Sequence, residues 1–261
     1  MDIRVCIPSY KRPKVETFSY LPFATVWVDH KEYDDYIKAN VGFEDNIISC
    51  EEGIQGNTSR IQNHILDTSF EDGADAVLIV DDDMKGIYHF IVNEQGGTEK
   101  VKLPTEEVLP WLEKYSILCD EFGFKLWGLN VNPDPLNYRH YSPFSTIGFI
   151  GGPFQCHLKN PLRNDERLPL KEDYDLSLQH NNIYRGVLKL NAFHYDVKQS
   201  EQSGGCASIR NHDKEMQQLE ALIKKWGNQI VKVDNGVRHG TKRVRKNKDY
   251  NPIIKVPIKG I

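Results

Sequence analysis

The sequence predicts an α/β fold with a mostly parallel central sheet and helices on both faces. Three observations predict it. Short apolar runs alternate with helical stretches through the first ninety residues. The run AVLIV at 76–80 is apolar without interruption, as a strand covered on both faces requires. The stretch that precedes it carries Ile61, Ile65 and Leu66 on one side of a helix. A chain of 261 residues can bury a sizeable core in one domain.

The elements follow in order. Ile3 to Ile7 forms a short buried strand that Pro8 turns into a loop, PSYKRP. FATVWVDHKEYDDYIKA holds a second strand and a helix, and NIISCEEG a third strand that ends in a turn. NTSRIQNHILDTSFEDGA is a helix with Asn57 or Thr58 as its N-cap, and the AVLIV strand comes next. From Pro104 to Phe122 the chain is helical, with Thr105 as cap and Glu106 and Glu107 at the positive end of the dipole. Pro110 predicts a kink or a restart there. FKLWGLNVN is a strand, PDPLNYRHYSP a surface loop, and FSTIGFIGGPFQCHL a pair of strands around Gly151 and Gly152. YDLSLQHNNIYRG is a helix ended by Gly186, VLKLNAFHYDV a strand, and DKEMQQLEALIKKWG an amphipathic helix closed by Gly227. No linker divides the chain. Residues 1–203 make the main domain, and 204–261 add a C-terminal helix and a basic strip packed on it.

Composition narrows the partners. No apolar run approaches the length of a membrane span, and the first residues lack the order of a signal peptide. Five scattered cysteines form no CxxC pair, which fits reduced thiols and a cytoplasmic location. The net charge of −4 hides an asymmetry. The stretch RHGTKRVRKNK, 238–248, has six basic residues and no acid, which leaves 27 basic against 37 acidic residues elsewhere. Such a strip is either a solvated tail or an edge that holds one polyanion.

The chemistry starts at VLIVDDDM. Alternation along a strand puts Asp81 and Asp83 on one face and Asp82 on the other. At the C-terminal end of a parallel strand, two such carboxylates meet a ligand in the crevice outside the sheet. Hard oxygen donors suit Mg²⁺ or Mn²⁺, which bridges phosphates. The alternative is an acidic turn that caps a helix. A second cluster, KEDYDLSLQ, sets Glu172, Asp173 and Asp175 at a helix start. These acids either complement the dipole or supply a general base for an acceptor hydroxyl.

The ordered motifs CIPSYKRP, GNTSRIQNHIL, AVLIVDDDM and KEDYDLSLQ together resemble the nucleotide-sugar glycosyltransferases of the GT-A fold. Within them the PSYKRP opening and the VDDD strand are most similar to the phage-type TET-associated glycosyltransferases, a group implicated in glycosylating hydroxymethylated pyrimidines in DNA. The resemblance covers Ile3 to Tyr195. It implies a GT-A-like fold, a UDP-sugar or related donor, Mn²⁺ or Mg²⁺, and 5-hydroxymethylcytosine in bacteriophage DNA as acceptor.

It also implies roles. Pro8, Ser9, Tyr10 and Arg12 would line the nucleotide pocket, Asp29 would meet the base or ribose, and Arg60 the ribose or diphosphate. Asp81 would face ribose or metal, with Asp82 beside the donor, and Asp83 would ligate the metal. Asp173 would be the base of an inverting reaction, with Glu172 orienting acceptor or sugar. Gly151 and Gly152 would let backbone approach the donor sugar, the alternative being an ordinary turn. A late histidine commonly completes the metal shell, and His194, His212 and His239 are the candidates, with His194 favoured by its place at a strand end.

For the acceptor, NYRHYSPF gathers Tyr138, Arg139, His140, Tyr141 and Phe144 in one loop, either to stack on a base or sugar or to pack on itself. Lys242, Arg243 and Arg245 of the basic strip would track phosphates without sequence choice. A polysaccharide, glycolipid or protein acceptor is the alternative within the same chemistry, and a non-catalytic nucleotide- or nucleic-acid-binding module the alternative outside it. A nucleotidyltransferase would carry a glycine-rich, Lys-containing loop after the first strand, and PSYKRP has no glycine.

Overall fold

The structure, a computed structural model, describes residues 1–198, 205, 210–234, 237–238, 241–242 and 249–256. In chain order its elements are β1 (Ile3–Pro8), β2 (Thr25–Asp29), α1 (Tyr33–Ala39), β3 (Ile47–Cys50), α2 (Thr58–Glu71), β4 (Ala76–Val80), β5 (Gly86–Val92) and β6 (Thr98–Lys102). Then come α3 (Thr105–Glu121), β7 (Leu126–Asn130), β8 (Phe144–Ser145), β9 (Phe154–Leu158), α4 (Glu172–Ile183) and β10 (Leu188–Asp196). The C-terminal part holds α5 (His212–Trp226), β11 (Val231–Asp234), β12 (Val237–Arg238), β13 (Thr241–Lys242) and β14 (Asp249–Ile254).

The main sheet runs β3-β2-β1-β4-β9-β7-β10-β5-β6, with β8 beside β10. Its first four strands are parallel, as are β7 and β10, while β9 and β5 run against their neighbours. Alternation along β4 shows why the strand is apolar throughout. Leu78 and Val80 join Val5, Ile7 and Val28 in the cluster that holds Trp111 and Leu112 of α3. Val77 and Ile79 point the other way, into Ile61, Ile65, Leu66 and Phe70 of α2. Register carries that second face across β9 to Leu126, which packs with Ile150 and Leu176 of α4. Helices therefore cover both faces, and the predicted fold class is the observed one.

Local details depart from the sequence reading where tertiary contacts decide. The β5–β6 hairpin was not expected from sequence; it extends the sheet by two antiparallel strands. Thr105 is not the cap of α3. Pro104 holds the N-cap position, and the Thr105 hydroxyl donates to the Tyr20 carbonyl at 3.0 Å. The helix continues through Pro110. At the end of α4 the left-handed residue is Arg185 (φ 63°), not Gly186. Gly186 is required for space instead, because a Cβ there would lie 2.4 Å from the Phe124 ring and 2.5 Å from the Thr146 carbonyl.

The helix α2 begins as expected, with the Asn57 side chain accepting from the Arg60 N–H at 3.2 Å. At the C-terminal end, Leu219 and Leu222 of α5 pack with Leu168, Leu178 and Val231, which fastens the appended segment beside α4. Gly227 closes α5 with φ 86°. Among the described residues no helix is long and apolar enough to cross a membrane.

Candidate active site

A cleft of about 550 Å³ opens at the C-terminal ends of β1 and β4. Parallel strands expose their last residues there, so separate loops converge on one space. The loop after β1 brings Pro8, Ser9, Tyr10 and Arg12, and the turn after β4 brings Asp81, Asp82 and Asp83. The segment before β9 brings Gly151 and Gly152, and the start of α4 brings Glu172 and Asp173.

The three aspartates are not divided between two faces. The strand ends at Val80, and Asp81 to Asp83 lie in a turn, so strand alternation no longer applies and all three line the cleft. The turn is pinned from several sides. The Thr17 hydroxyl donates to the Asp81 carbonyl at 2.7 Å and accepts from the Met84 N–H at 2.8 Å. The Glu16 and Thr17 N–H groups both donate to the Asp82 carbonyl.

Each carboxylate has a different environment. Asp82 is buried, with Ser9 Oγ donating at 2.5 Å and Arg12 Nη1 at 2.7 Å, so it ties the PSYKRP loop to the end of β4. Asp83 is buried too, and its Oδ1 has no partner among the described residues. Burial, then Asp82, raises its pKa. Asp81 is pushed up to about 7, chiefly by burial and next by Asp83 and Asp82. A crowded acid pair with an orphaned oxygen fits a hard divalent cation. Among the described residues no cluster of three or more ligating side chains exists. Two carboxylates are what a cation needs when substrate phosphates complete its shell.

Across the cleft, Asp173 accepts from two backbone N–H groups, Tyr174 at 2.8 Å and Gly152 at 3.2 Å. Burial moves it up to about 6 against those bonds. Glu172 is pushed well above the ordinary carboxylate range by burial and then by Asp173. The two glycines have different jobs. The Gly152 backbone serves Asp173, and Gly151 leaves room for Val131 and Tyr195, because a Cβ on it would sit 2.7 Å from the first and 2.8 Å from the Tyr195 hydroxyl.

Several residues named from the sequence do not reach the cleft. Asp29 turns back on its own loop and accepts from the Lys31 N–H at 2.9 Å. Arg60 is half-exposed, pairs with Glu166 at 3.0 Å and donates to the Gly53 carbonyl. His194 lines a second cavity beside the cleft. His212 stands exposed at the first turn of α5, outside the cleft lining, and His239 lies outside the described residues. In the aromatic loop Tyr138 stacks on Phe90, Arg139 donates to the Leu136 and Tyr138 carbonyls, and Tyr141 is exposed. None of these three lines the cleft. The Lys242 backbone belongs to β13, and its side chain, like Arg243 and Arg245, lies outside what is described.

The cleft also contains residues that the sequence reading missed. Tyr195, at the end of β10, faces Asp81 and Asp173 closely enough for both carboxylates to push its phenol pKa up beyond what burial does. Its one sequence signal is its position directly after His194 in a strand that ends at the site. Lys171 and Glu215 are both about 2 % exposed and form an ion pair, and Arg210 Nε reaches Glu215 at 2.9 Å. All three line the cleft beside Glu172, although 44 residues separate Lys171 from Glu215 and no local pattern couples them. Replacing Glu215 by Ala takes the carboxylate from a buried ammonium. We expect a loss of about 3–5 kcal/mol, read as a large drop in Tm, with a smaller drop for Glu215→Gln. An unchanged Tm for Glu215→Ala would show that the pair does not hold α5 to the cleft.

No family model and no curated protein matches the chain. Solved structures do. Glucosyl-3-phosphoglycerate synthase from Mycobacterium tuberculosis, in complex with Mn²⁺, UDP and glucosyl-3-phosphoglycerate, aligns with TM-score 0.52 at 11 % identity, covering 89 % of this chain and 83 % of that one. The same synthase with Mg²⁺ and UDP gives 0.51 at 12 % identity, covering 91 % and 86 %. S. aureus TarS 1–349 gives 0.45 at 13 % identity, covering 90 % and 74 %. At this identity the likeness to the synthase establishes a shared fold, GT-A-like as the motifs led one to expect.

Proposed function

We propose that the chain is a metal-dependent glycosyltransferase that moves a sugar from a nucleotide-sugar, a UDP-sugar, to a hydroxyl acceptor. The observation that carries this reading is the pair of facing acid clusters in one cleft, the Asp81–Asp83 turn with its orphaned oxygen on one side and Glu172 with Asp173 on the other. A site that only bound nucleotide would need the first cluster and not the second. The synthase of the same fold, crystallised with Mn²⁺, UDP-glucose and phosphoglyceric acid, supports the donor class.

Asp81 and Asp83 would hold the cation, which when bound stabilises charge on the departing diphosphate. Asp82 orients the loop that carries Ser9, Tyr10 and Arg12 along the donor side. The acceptor oxygen forms its bond to the anomeric carbon while the bond from that carbon to the diphosphate oxygen breaks. The electron pair leaves on the diphosphate, and the acceptor proton passes to the Asp173 carboxylate. The Gly152 and Tyr174 N–H groups fix that carboxylate in place. Arg60 has no part in this account, because Glu166 and Gly53 hold it outside the cleft.

For the acceptor we propose 5-hydroxymethylcytosine in DNA, on the resemblance of the PSYKRP and VDDD segments. The test is mass spectrometry of a short duplex containing that base, incubated with the protein, Mn²⁺ and a pooled panel of UDP-sugars. The expected result is a mass gain of one sugar. Release of UDP without a mass gain would retain the transferase and discard this acceptor. Neither release nor gain would discard the transferase with these donors.

A further inference from the structure

The second cavity, about 470 Å³, is walled by Tyr88, Lys100, Pro133, His194 and Asp196 together with Val131, Tyr195 and Val197. The last three residues also line the cleft, so the two spaces share a wall. Tyr195 belongs to that wall, with its hydroxyl against Gly151 and its charge environment set partly by Asp81 and Asp173. A group held in the cavity is thus one side chain away from the carboxylates proposed for transfer.

The walls are built for a flat ring. His194 lies directly across from Tyr88 in the β10–β5 register, and their rings stack with centroids 5.4 Å apart. Phe90 stacks on the same histidine at 5.3 Å, and Tyr138 of the aromatic loop stacks on Phe90 at 5.5 Å. Four rings in a row therefore lead from the surface loop to the cavity. One cation accompanies them, since Lys100 of β6, the cross-strand partner of Phe90, lines the cavity, whereas the ammonium of Lys102 lies over the Tyr20 ring. The Lys100 ammonium donates to the Pro133 carbonyl at 3.1 Å and keeps further donors for a ligand.

His194 adds polarity. Its Nδ1 lies 2.9 Å from the Tyr195 carbonyl, which only accepts, so Nδ1 carries the proton. Nε2 of the neutral ring is then an acceptor, and it has no partner among the described residues. Aromatic faces, an acceptor nitrogen and the Asp196 carboxylate match a nucleobase with an exocyclic amino group, and the Lys100 ammonium is the one cation of the lining for its phosphate. A metal ion would find one nitrogen and the single carboxylate of Asp196, and no group of three or more ligating side chains exists among the described residues.

We propose that this cavity receives the base of an acceptor nucleotide, with Tyr88 and His194 as its stacking wall and its hydroxymethyl group directed past Tyr195, on the shared edge, into the donor cleft. The proposal rests on the transferase reading and names the side of that site on which the acceptor enters.

Calorimetric titration of 5-hydroxymethyl-2′-deoxycytidine 5′-monophosphate into protein saturated with UDP and Mn²⁺ tests it. The nucleotide is expected to bind the loaded protein without displacing UDP. Tyr88→Ala and His194→Gln should each weaken it roughly tenfold, the loss of one base–aromatic stack, and leave UDP and Mn²⁺ affinity unchanged. Tyr88 is half-buried, so its variant retains the test if the histidine variant fails to fold. Displacement of UDP, no binding to the loaded protein, unchanged affinity in both variants, or loss of Mn²⁺ affinity in His194→Gln would each overturn the proposal. Failure of UDP and Mn²⁺ to bind the wild type would instead overturn the transferase reading, and the nucleotide titration of the unloaded protein with both variants would then judge the cavity alone.

Discussion

Asp83→Ala is expected to lower sugar transfer by roughly 10²–10³-fold, the usual cost of removing one element of transition-state charge stabilisation. The same variant is expected to match or exceed the wild type in Tm when no metal is present. Asp83 is buried, its Oδ1 has no partner among the described residues, and its neighbours Asp81 and Asp82 carry the same charge. Its removal relieves repulsion and gives up one bond from the Lys198 N–H, whereas the Ser9 and Arg12 contacts that hold the turn belong to Asp82 and stay. A structural carboxylate would behave in the opposite way, with stability falling and activity following it.

The crowding also gives a pH signature. Asp81 titrates near 3.8 in the unfolded chain and near about 7 in the folded one. Over that window the folded state holds the proton that the unfolded state has lost, so the metal-free protein loses stability as pH rises from about 4 to about 7. Mn²⁺ should restore it at the upper end. Thermal melts of wild type and variant, with and without Mn²⁺, read both effects. Full activity in Asp83→Ala, or a Tm that Mn²⁺ leaves unmoved at pH 7, would remove the cation from the Asp81–Asp83 turn.

How much of this was legible in the sequence depended on whether the cause was local. The apolar run at 76–80 announced a doubly covered strand because both faces of β4 pack on helices. Asn57 announced a helix start because its cap lies three residues away. Asp82 was placed wrongly because alternation was carried past Val80, where the strand stops. Arg60 follows a recognisable turn, but its partner Glu166 lies 106 residues further on, and no spacing rule reaches that far.

The hairpin is the instructive miss. Alternating residues in GIYHFIV and TEKVK around NEQGG contain the pattern of two strands, yet each run is too short and too polar to stand out. With β5 unread, the partner of His194 was invisible, and the histidine looked free for a metal. Its cross-strand neighbour Tyr88 is what places it in an aromatic row instead.

Asp173→Asn is expected to lower kcat by about 10²–10⁴-fold, the range for loss of a positioned general base, while the KM for the UDP-sugar stays within a small factor. The split follows from geometry, because Asp173 accepts from the Gly152 and Tyr174 N–H groups rather than from the donor loops, and its charge is the smallest of the causes that act on Asp81. An amide keeps the oxygen that accepts from Tyr174, but turns its nitrogen toward the Gly152 N–H, so a modest loss of Tm accompanies the variant. The pH profile separates a base from a mere anchor. Burial sets Asp173 at about 6 and also raises Glu172 beside it, which the Asp173 charge raises further. Wild-type kcat should therefore rise with pH through about 6, and the residual activity of Asp173→Asn should lose that limb. Glu172→Gln retains the hydrogen-bonding shape of a protonated acid and should keep the limb. If Asp173→Asn turns over at the wild-type rate, or loses only donor affinity, the proton goes elsewhere and Tyr195, on the shared wall of the two cavities, becomes the next group to replace.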